Sequence, residues 1–290
     1  TWRLGMLDAR LALGPAGWRH RLALMEAAEL SWLAGDRLGA DRVALWVAQR
    51  VSSLQDDAQA LARAAWAFRR LSEGPGPEAD LAAFLGRHET EEAEDGEALT
   101  DRLAAWSETM QGAADLHPVT RAALGYASWS LAGLDRGAAG RMEAAVVAAR
   151  LARPEGARGL HFVPLGLGGA GEGLRASGAP PDRLARWIAG AEAATIAALR
   201  HLDALSDWES AAREAISGLS GRTPPRLVAA FVEWPLVSAP MAEELAGVSR
   251  ASVHRGLNLL SDQGLIREIT GQGRFRFWRA QLAGRRLQPV

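Results

Sequence analysis

AEELAGVSRASVHRGLNLLSDQGLI, residues 242–266, predicts two short helices joined by a tight turn. Gly247 follows a run of good helix formers and ends the first helix. Ser249 stands where the N-cap of the second helix is expected, because a serine side chain there accepts a backbone hydrogen bond. Gly264 stops the second helix, which we predict over residues 250–262.

The second helix is expected to have one buried and one exposed face. Its apolar stripe is formed by Val253, Leu257 and Leu260, at i, i+4 and i+7. The opposite face is small, polar and basic, as a helix entering the major groove of DNA requires, because acidic groups there would repel phosphates. Bases are expected to be read by Arg250, Ser252, Arg255 and Asn258, and the wider set of predicted DNA contacts on this helix is Ser249, Arg250, Ser252, His254, Arg255 and Asn258.

A β-hairpin is predicted after this helix. Leu265–Ile269 reads as a strand, Thr270–Gly273 as a turn and Arg274–Trp278 as a return strand with period-two alternation. Arginines beside the tip of such a hairpin are placed to contact phosphates or the minor groove. We predict Phe275 and Phe277 on one side of the return strand, and Arg274, Arg276 and Trp278 on the other. The predicted DNA contacts of this hairpin are Gln272, Arg274 and Arg276.

The segment upstream supplies a further helix and a domain border. The sequence GRTPP at residues 221–225 is typical of a break between secondary-structure elements, and the pattern of Arg226–Glu233 predicts a short helix. Ser238 then stands as an N-cap, with Pro240 in the first helical turn that follows. We predict a helical domain at residues 1–220 and a DNA-binding domain at residues 221–290.

Charge is divided unevenly between these two parts. From residue 221 onward there are ten arginines and five acidic residues, a net charge of +5, whereas the first 220 residues carry a net charge of −6. A near-neutral chain therefore combines an acidic body with a basic C-terminal part. This asymmetry is expected when only the C-terminal part meets a polyanion.

Residues 222–280 resemble the winged-helix segment of many bacterial regulators. The helix caps, the turn, the apolar stripe and the hairpin occur there in the same order. The resemblance implies a small α+β winged-helix domain with a recognition helix at residues 250–262 in the major groove. It also implies a wing at residues 265–278 on the backbone or minor groove. A sequence-specific DNA-binding protein acting as a transcriptional regulator is the function expected from it.

Residues 1–220 are rich in Ala, Leu, Arg and Glu and predict a mainly α body. The acidic run His88–Glu97 is expected to be a solvated loop, and the glycine-rich Arg153–Pro181 a mobile surface loop. Helices are predicted over Trp2–Leu13, Gly17–Ala34, Asp41–Val51, Asp56–Ser72, Glu78–Leu85, Leu99–Gln111, Pro118–Leu134, Gly140–Ala152, Pro181–Leu205 and Asp207–Leu219.

Two segments of the body resemble Fic-type proteins. Leu116–Trp129 is similar to the helix that precedes the active-site loop of that family, and Glu29–Asp36 is similar to its N-terminal inhibitory helix. Together with the C-terminal segment, the chain resembles a group of rhizobial-type proteins with a Fic-like body and a helix-turn-helix tail. The resemblance implies a Fic-like helical bundle.

The loop that carries catalysis in that family is degenerate here. Active Fic enzymes have a loop that begins His-Pro-Phe and continues Asp/Glu-Gly-Asn-Gly-Arg, in which the histidine is the general base and the glycine–arginine turn holds nucleotide phosphates. Ala132–Arg141 occupies that place, and only Gly140-Arg141 matches. Ala34 stands at the position of the inhibitory glutamate. The resemblance therefore implies a non-catalytic relative with no catalytic residue.

Composition and spacing argue against several other classes of protein. The absence of cysteine excludes a disulfide framework and thiol chemistry, and the six histidines show no metal-ligand spacing. Neither a Walker loop nor a Gly-x-Ser-x-Gly elbow occurs, so no cofactor or metal is expected. Thr1–Asp8 lacks the layout of a secretory signal, and no apolar run approaches about 18 residues. We expect a cytoplasmic protein that makes no membrane contact.

Three functions remain open at the level of sequence. The first is a DNA-binding regulator that binds double-stranded DNA, with a homodimer as the default because two half-sites multiply specificity. The second is a divergent Fic-type nucleotidyltransferase that uses Arg141 and an unidentified base. The third is a protein-interaction or antitoxin-like module whose helical body covers a protein partner.

Overall fold

The fold is mainly α with a small sheet near the C-terminus, as predicted. The computed structural model describes residues 2–49, 57–86, 93–135, 137–169, 171–219, 221–271 and 276–282. Within these segments the helices are α1 (Trp2–Leu13), α2 (Gly17–Ser31), α3 (Ala40–Gln49), α4 (Ala58–Ser72), α5 (Leu81–Leu85), α6 (Ala93–Gln111), α7 (Pro118–Leu131), α8 (Gly137–Leu151), α9 (Pro180–Ala215), α10 (Thr223–Glu233), α11 (Ala239–Ala246) and α12 (Arg250–Asp262). The strands are β1 (Val237–Ser238), β2 (Ile266–Glu268) and β3 (Phe277–Ala280). None of the described helices is long and apolar enough to cross a bilayer.

The chain forms two compact units whose limits fall inside α2 and α9. The first unit contains Thr1–Leu13 and Leu22–Ala198, and the second contains Gly14–Arg21 and Leu199–Val290. The second unit thus takes in more than the predicted DNA-binding segment. The predicted border between residues 220 and 221 separates two domains that are expected to fold independently, and this border stays a prediction.

The first unit is organised around α8. Most of this helix is buried because all side chains of Ala144–Leu151 except that of Arg150 are small or apolar, and Arg150 is buried with them. Helix α7 packs beside it, where Trp129 lies edge-on to Trp106 of α6 with ring centroids 5.4 Å apart. A β-carbon at Gly125 would lie 3.2–3.3 Å from Met110, Trp106 and Leu151, so a residue without a side chain lets α7 approach closely.

The segment between α8 and α9 is irregular, as predicted, but the expectation of a surface loop is wrong for its central part. Phe162, Val163, Leu165 and Leu167 are buried. Two carboxylates hold the segment through its backbone. Asp8 of α1 accepts the N–H groups of residues 159 and 160, each at 2.8 Å. A segment without a regular hydrophobic pattern can still enter the core when side chains such as these accept hydrogen bonds from its backbone N–H groups.

Glu26 of α2 is the second of these carboxylates and is fully buried. It accepts the N–H groups of Leu165 at 2.7 Å, Gly166 at 2.9 Å and Leu167 at 3.0 Å. Burial raises the pKa of Glu26 to about 7, although the three backbone hydrogen bonds oppose the shift. The carboxyl group is therefore a structural acceptor that is costly to ionise.

Two helix predictions in the body need correction. The predicted break after Leu205 is absent and α9 is continuous, because buried Leu202, Leu205, Trp208 and Ala212 continue one apolar stripe through it. Helix α6 begins at Ala93, inside the acidic run predicted as a loop, since alanine and glutamate are good helix formers. Residues 88–92 of that run lie outside the described residues.

The hairpin also differs from its prediction. The return strand β3 begins at Phe277, and it is the central strand of an antiparallel sheet in the order β1–β3–β2. Trp278 pairs with both Val237 and Glu268 and is buried, and the pattern of the strand did not indicate this burial. The short strand β1 was not predicted, and its pairing places Trp278 between two neighbouring strands.

Candidate nucleic-acid interface

Helices α11 and α12 are joined by a turn whose capping can be traced residue by residue. Ser238 Oγ accepts the N–H of Met241 at 3.4 Å at the start of α11, as its predicted N-cap position requires. Gly247 ends α11 in the left-handed conformation, with φ 59° and ψ 44°. Arg226 of α10 donates to the carbonyl of Ala246 at 2.7 Å and so satisfies a terminal acceptor of α11.

Helix α12 lies tightly against α10. The predicted stripe of Val253, Leu257 and Leu260 is fully buried, which confirms this part of the pattern. A β-carbon at Gly256 would come within 2.4 Å of Leu227 Cδ1, so only glycine fits here without rearrangement. The opposite side of α12 is free of these contacts.

The predicted DNA-contacting residues of α12 lie along that opposite side. Arg255 donates to Ser252 Oγ at 3.1 Å, which holds the guanidinium close to the helix surface. Ser249 occupies the N-cap position without a capping hydrogen bond, because its hydroxyl instead lies 3.1 Å from Ser252 Oγ. Ser252 is half-buried, and the exposed members of the set are Ser249, Arg250, His254, Arg255 and Asn258.

One acidic residue stands beside this face. Glu243 of α11 lies 3.8 Å from Arg250 Nε, and the Arg250 side chain remains 76% exposed. The carboxylate thus orients the arginine without burying it. This ion pair was not predicted from the sequence, although the helix-turn-helix spacing that brings the two residues together was recognised.

The base of the hairpin is ordered by Glu268. Its carboxylate accepts the N–H of Thr270 at 2.7 Å and that of Gly271 at 3.1 Å, and it also contacts the Thr270 hydroxyl. Partial burial opposes ionisation, but these hydrogen bonds and the charge of Arg276 hold the pKa of Glu268 below its ordinary value. The hydrogen bonds to Glu268 therefore fix the backbone of Thr270 and Gly271, where the turn begins.

Of the three predicted hairpin contacts, Arg276 lies within the described residues. It is exposed, and its guanidinium carbon lies 5.0 Å from the centre of the Trp278 ring, a cation–π arrangement. The other two, Gln272 and Arg274, lie outside the described residues. Arg267 of β2 is also exposed on the hairpin, and it was not among the predicted DNA contacts although its strand position was predicted.

Within the second unit, an N-terminal segment supports α10. Arg21 is buried, and its guanidinium donates to the carbonyls of Val232 at 2.9 Å and Trp234 at 2.6 Å and also contacts the carbonyl of Phe231. Burial lowers the pKa of Arg21 to about 9, with Glu233 opposing the shift. A cation at the carbonyl end of a helix also complements the helix dipole. Nothing in the local sequence around residue 21 could have predicted this contact.

The described residues contain no cluster of three or more His, Asp or Glu side chains suited to a metal ion. His201 is half-buried within the second unit with its Nε2 atom shielded from solvent, and this burial lowers its pKa to about 4, with Arg21 adding to the effect. This histidine is therefore neutral near pH 7 and contributes no charge to the unit.

Comparison with curated proteins finds no match to the chain. A family model matches the segment that contains the elements from α10 to β3. Residues 224–280 match the family described as an HTH DNA binding domain, and the chain therefore carries a DNA-binding domain built on a helix-turn-helix.

Proposed function

We propose that this protein is a sequence-specific DNA-binding protein that regulates transcription, with α12 as the recognition helix in the major groove. The observation that carries the proposal is the division of α12 into a fully buried apolar stripe and an exposed polar, basic face. A helix held in this way presents its side chains to base edges without exposing apolar surface.

Arg255 and Asn258 suit base reading because each can form two hydrogen bonds with one base. Arginine pairs with the O6 and N7 atoms of guanine, and asparagine with the N6 and N7 atoms of adenine. Both side chains are exposed on α12, and Arg250 and Ser252 flank them towards its N-terminus. We assign base reading to these four residues, with Ser249 and His254 at the edge of the same face.

The hairpin supplies contacts that do not depend on base sequence. Arg276 is exposed beside Trp278, and Gln272 and Arg274 precede it in the chain. Arginine at the tip of a wing binds phosphates or enters the minor groove. These residues then raise affinity for all duplexes and set the dependence of binding on salt.

Fluorescence anisotropy with a duplex selected by the protein tests these roles. Arg255→Ala is expected to weaken binding to the selected duplex by about 1–3 kcal/mol and to relax specificity at one base pair. Arg276→Ala should weaken binding to selected and random duplexes alike and reduce the salt slope by about 1. Arg200→Ala, which removes an exposed arginine from α9, is the matched control for charge. Equal binding by Arg255→Ala and the control would remove the base-reading assignment.

The helical body is proposed to be a non-catalytic relative of Fic-type proteins. This part of the proposal rests on the resemblance of Leu116–Trp129, most of which lies in α7, to the helix that precedes the active-site loop of that family. Arg141 is exposed, and residues 130–141 contain no histidine that could act as a base. Calorimetry with ATP and Mg²⁺ tests this reading. Heat of binding that Arg141→Ala abolishes would instead favour a nucleotide-transferring enzyme.

A homodimer is part of the proposal, because helix-turn-helix proteins gain specificity by reading two half-sites. Analytical ultracentrifugation with one selected duplex should give two chains per duplex. One chain per duplex would contradict the dimer and leave the base-reading assignment intact.

A further inference from the structure

An apolar pocket lies in the first unit between α7, the start of α9 and the segment that precedes α9. Its volume is about 340 Å³. Its carbon lining includes Leu124 and Ala127 of α7, Leu184 and Trp187 of α9, and Leu174. Pockets that hold small molecules generally span about 300–1,000 Å³, so this one suits a small ligand.

The aromatic wall of the pocket has both of its hydrogen-bond donors already engaged. Tyr126 and Trp187 form this wall with ring centroids 5.3 Å apart. The Tyr126 hydroxyl donates to the carbonyl of Leu174 at 2.9 Å, and Trp187 Nε1 donates to the carbonyl of Val119 at 3.1 Å. Because both donor hydrogens are already engaged, this wall presents a ligand mainly with carbon, and Thr120 adds a further hydroxyl to the lining.

The rim has the opposite character. Arg183 of α9 lines the pocket and is exposed, and no acidic side chain among the described residues forms an ion pair with it. Leu116 and Leu124 at the same rim are 43% and 38% exposed. The pocket thus combines an apolar interior and an apolar rim with one cation, Arg183, that has no acidic partner among the described residues.

We propose that this pocket binds a small amphipathic carboxylic acid. Its apolar part lies against Trp187 and Leu124, and its carboxylate pairs with Arg183 at the rim. A guanidinium can bind a carboxylate through two parallel hydrogen bonds, which fixes the orientation of the ligand as well as its charge. The proposal concerns the helical body alone and stands whether or not the second unit binds DNA.

Isothermal titration calorimetry on the full chain tests the site, with octanoate and 3-phenylpropionate as aliphatic and aromatic probes. Octanol serves as the uncharged analogue of octanoate. Arg183→Ala removes the cation, and Arg200→Ala removes an exposed arginine about 25 Å further along the same helix. Ala127→Trp fills the pocket from an exposed position on α7, where a larger side chain leaves the fold intact.

At least one of the two acids should bind, and the preferred probe identifies an aliphatic or an aromatic ligand. Arg183→Ala should weaken that binding by about tenfold or more while Arg200→Ala leaves it unchanged, and octanol should bind more weakly than octanoate. Ala127→Trp should abolish binding of both acids. The proposal is overturned if neither acid binds at millimolar concentration, if the two arginine variants behave alike, or if Ala127→Trp binds as well as the parent chain.

Discussion

Gly256→Ala tests how closely α12 packs on α10. The new methyl group would lie 2.4 Å from Leu227 Cδ1, whereas two carbon atoms in contact normally lie about 3.5–4.0 Å apart. Leu227 is completely buried, so its side chain has no solvent to move into. We therefore expect the substitution to destabilise the second unit, although alanine is ordinarily the better helix former.

Two opposing terms determine the magnitude. Replacing glycine by alanine inside a helix stabilises it by about 1 kcal/mol. Overpacking a buried site by one methyl group costs about 1–3 kcal/mol, and the overlap of more than an ångström places Gly256 in the upper part of that range. The expected net loss in the free energy of unfolding is about 1–2 kcal/mol.

A double-mutant cycle with Leu227→Val separates the two terms. Valine lacks the δ-carbon that causes the overlap, and the Leu227 γ-carbon lies 3.7 Å from the position that the new methyl group would take, within ordinary contact. In the Leu227→Val background, Gly256→Ala should therefore become stabilising by up to about 1 kcal/mol. The sign of the effect reverses between the two backgrounds.

Urea denaturation of the four proteins, with hydrogen exchange of the amides of α10 and α12, measures the effect. Hydrogen exchange assigns the change to the second unit even if the two units unfold separately. If Gly256→Ala stabilises the parent chain, or destabilises both backgrounds equally, the close contact between α10 and α12 is wrong.

Two further predictions concern buried charged groups. Arg21→Met keeps the aliphatic stem but leaves three carbonyl groups at the end of α10 without their donor, two of them buried and that of Trp234 partly buried. It should therefore cost roughly 3 kcal/mol in thermal or urea unfolding, whereas Arg200→Met should cost nearly nothing. An undiminished melting temperature in Arg21→Met would contradict the capping role. The pKa of Glu26 is about 7 in the folded state and 4.5 ordinarily, so between these pH values the folded state binds more protons than the unfolded state. The free energy of unfolding should therefore fall as the pH rises from 4.5 to 7. Glu26→Gln should remove this slope in urea titrations at pH 5, 6, 7 and 8, and an unchanged slope would assign it to other groups.

The sequence could predict the helix-turn-helix because its signals are local. Gly247, Ser238 and the stripe of Val253, Leu257 and Leu260 act within one or two turns of their own helices. Such signals fix where a helix begins, where it ends and which side it buries. The exposed residues of α12 follow from the same geometry, so the candidate site could be located before its structure was known.

The features that sequence analysis missed depend on contacts between distant residues. Gly256 meets Leu227, and Trp208 donates its indole N–H to the carbonyl of Leu265 at 2.8 Å. Glu26 satisfies backbone groups about 140 residues away, so a glycine-rich segment that suggested a mobile loop is partly buried. The burial of Trp278 was not predicted because periodicity within one strand shows neither its neighbouring strands nor what covers its two faces.

The central claim is that α12 reads DNA sequence. The most direct test is selection from a randomised duplex library with the full chain, beside a variant that combines Arg250→Ala and Arg255→Ala. The parent chain is expected to enrich one discrete motif, and the variant, shown to be folded by circular dichroism, is expected to enrich none. A parent chain that enriches no motif, or a variant that recovers the same motif equally well, would contradict the account.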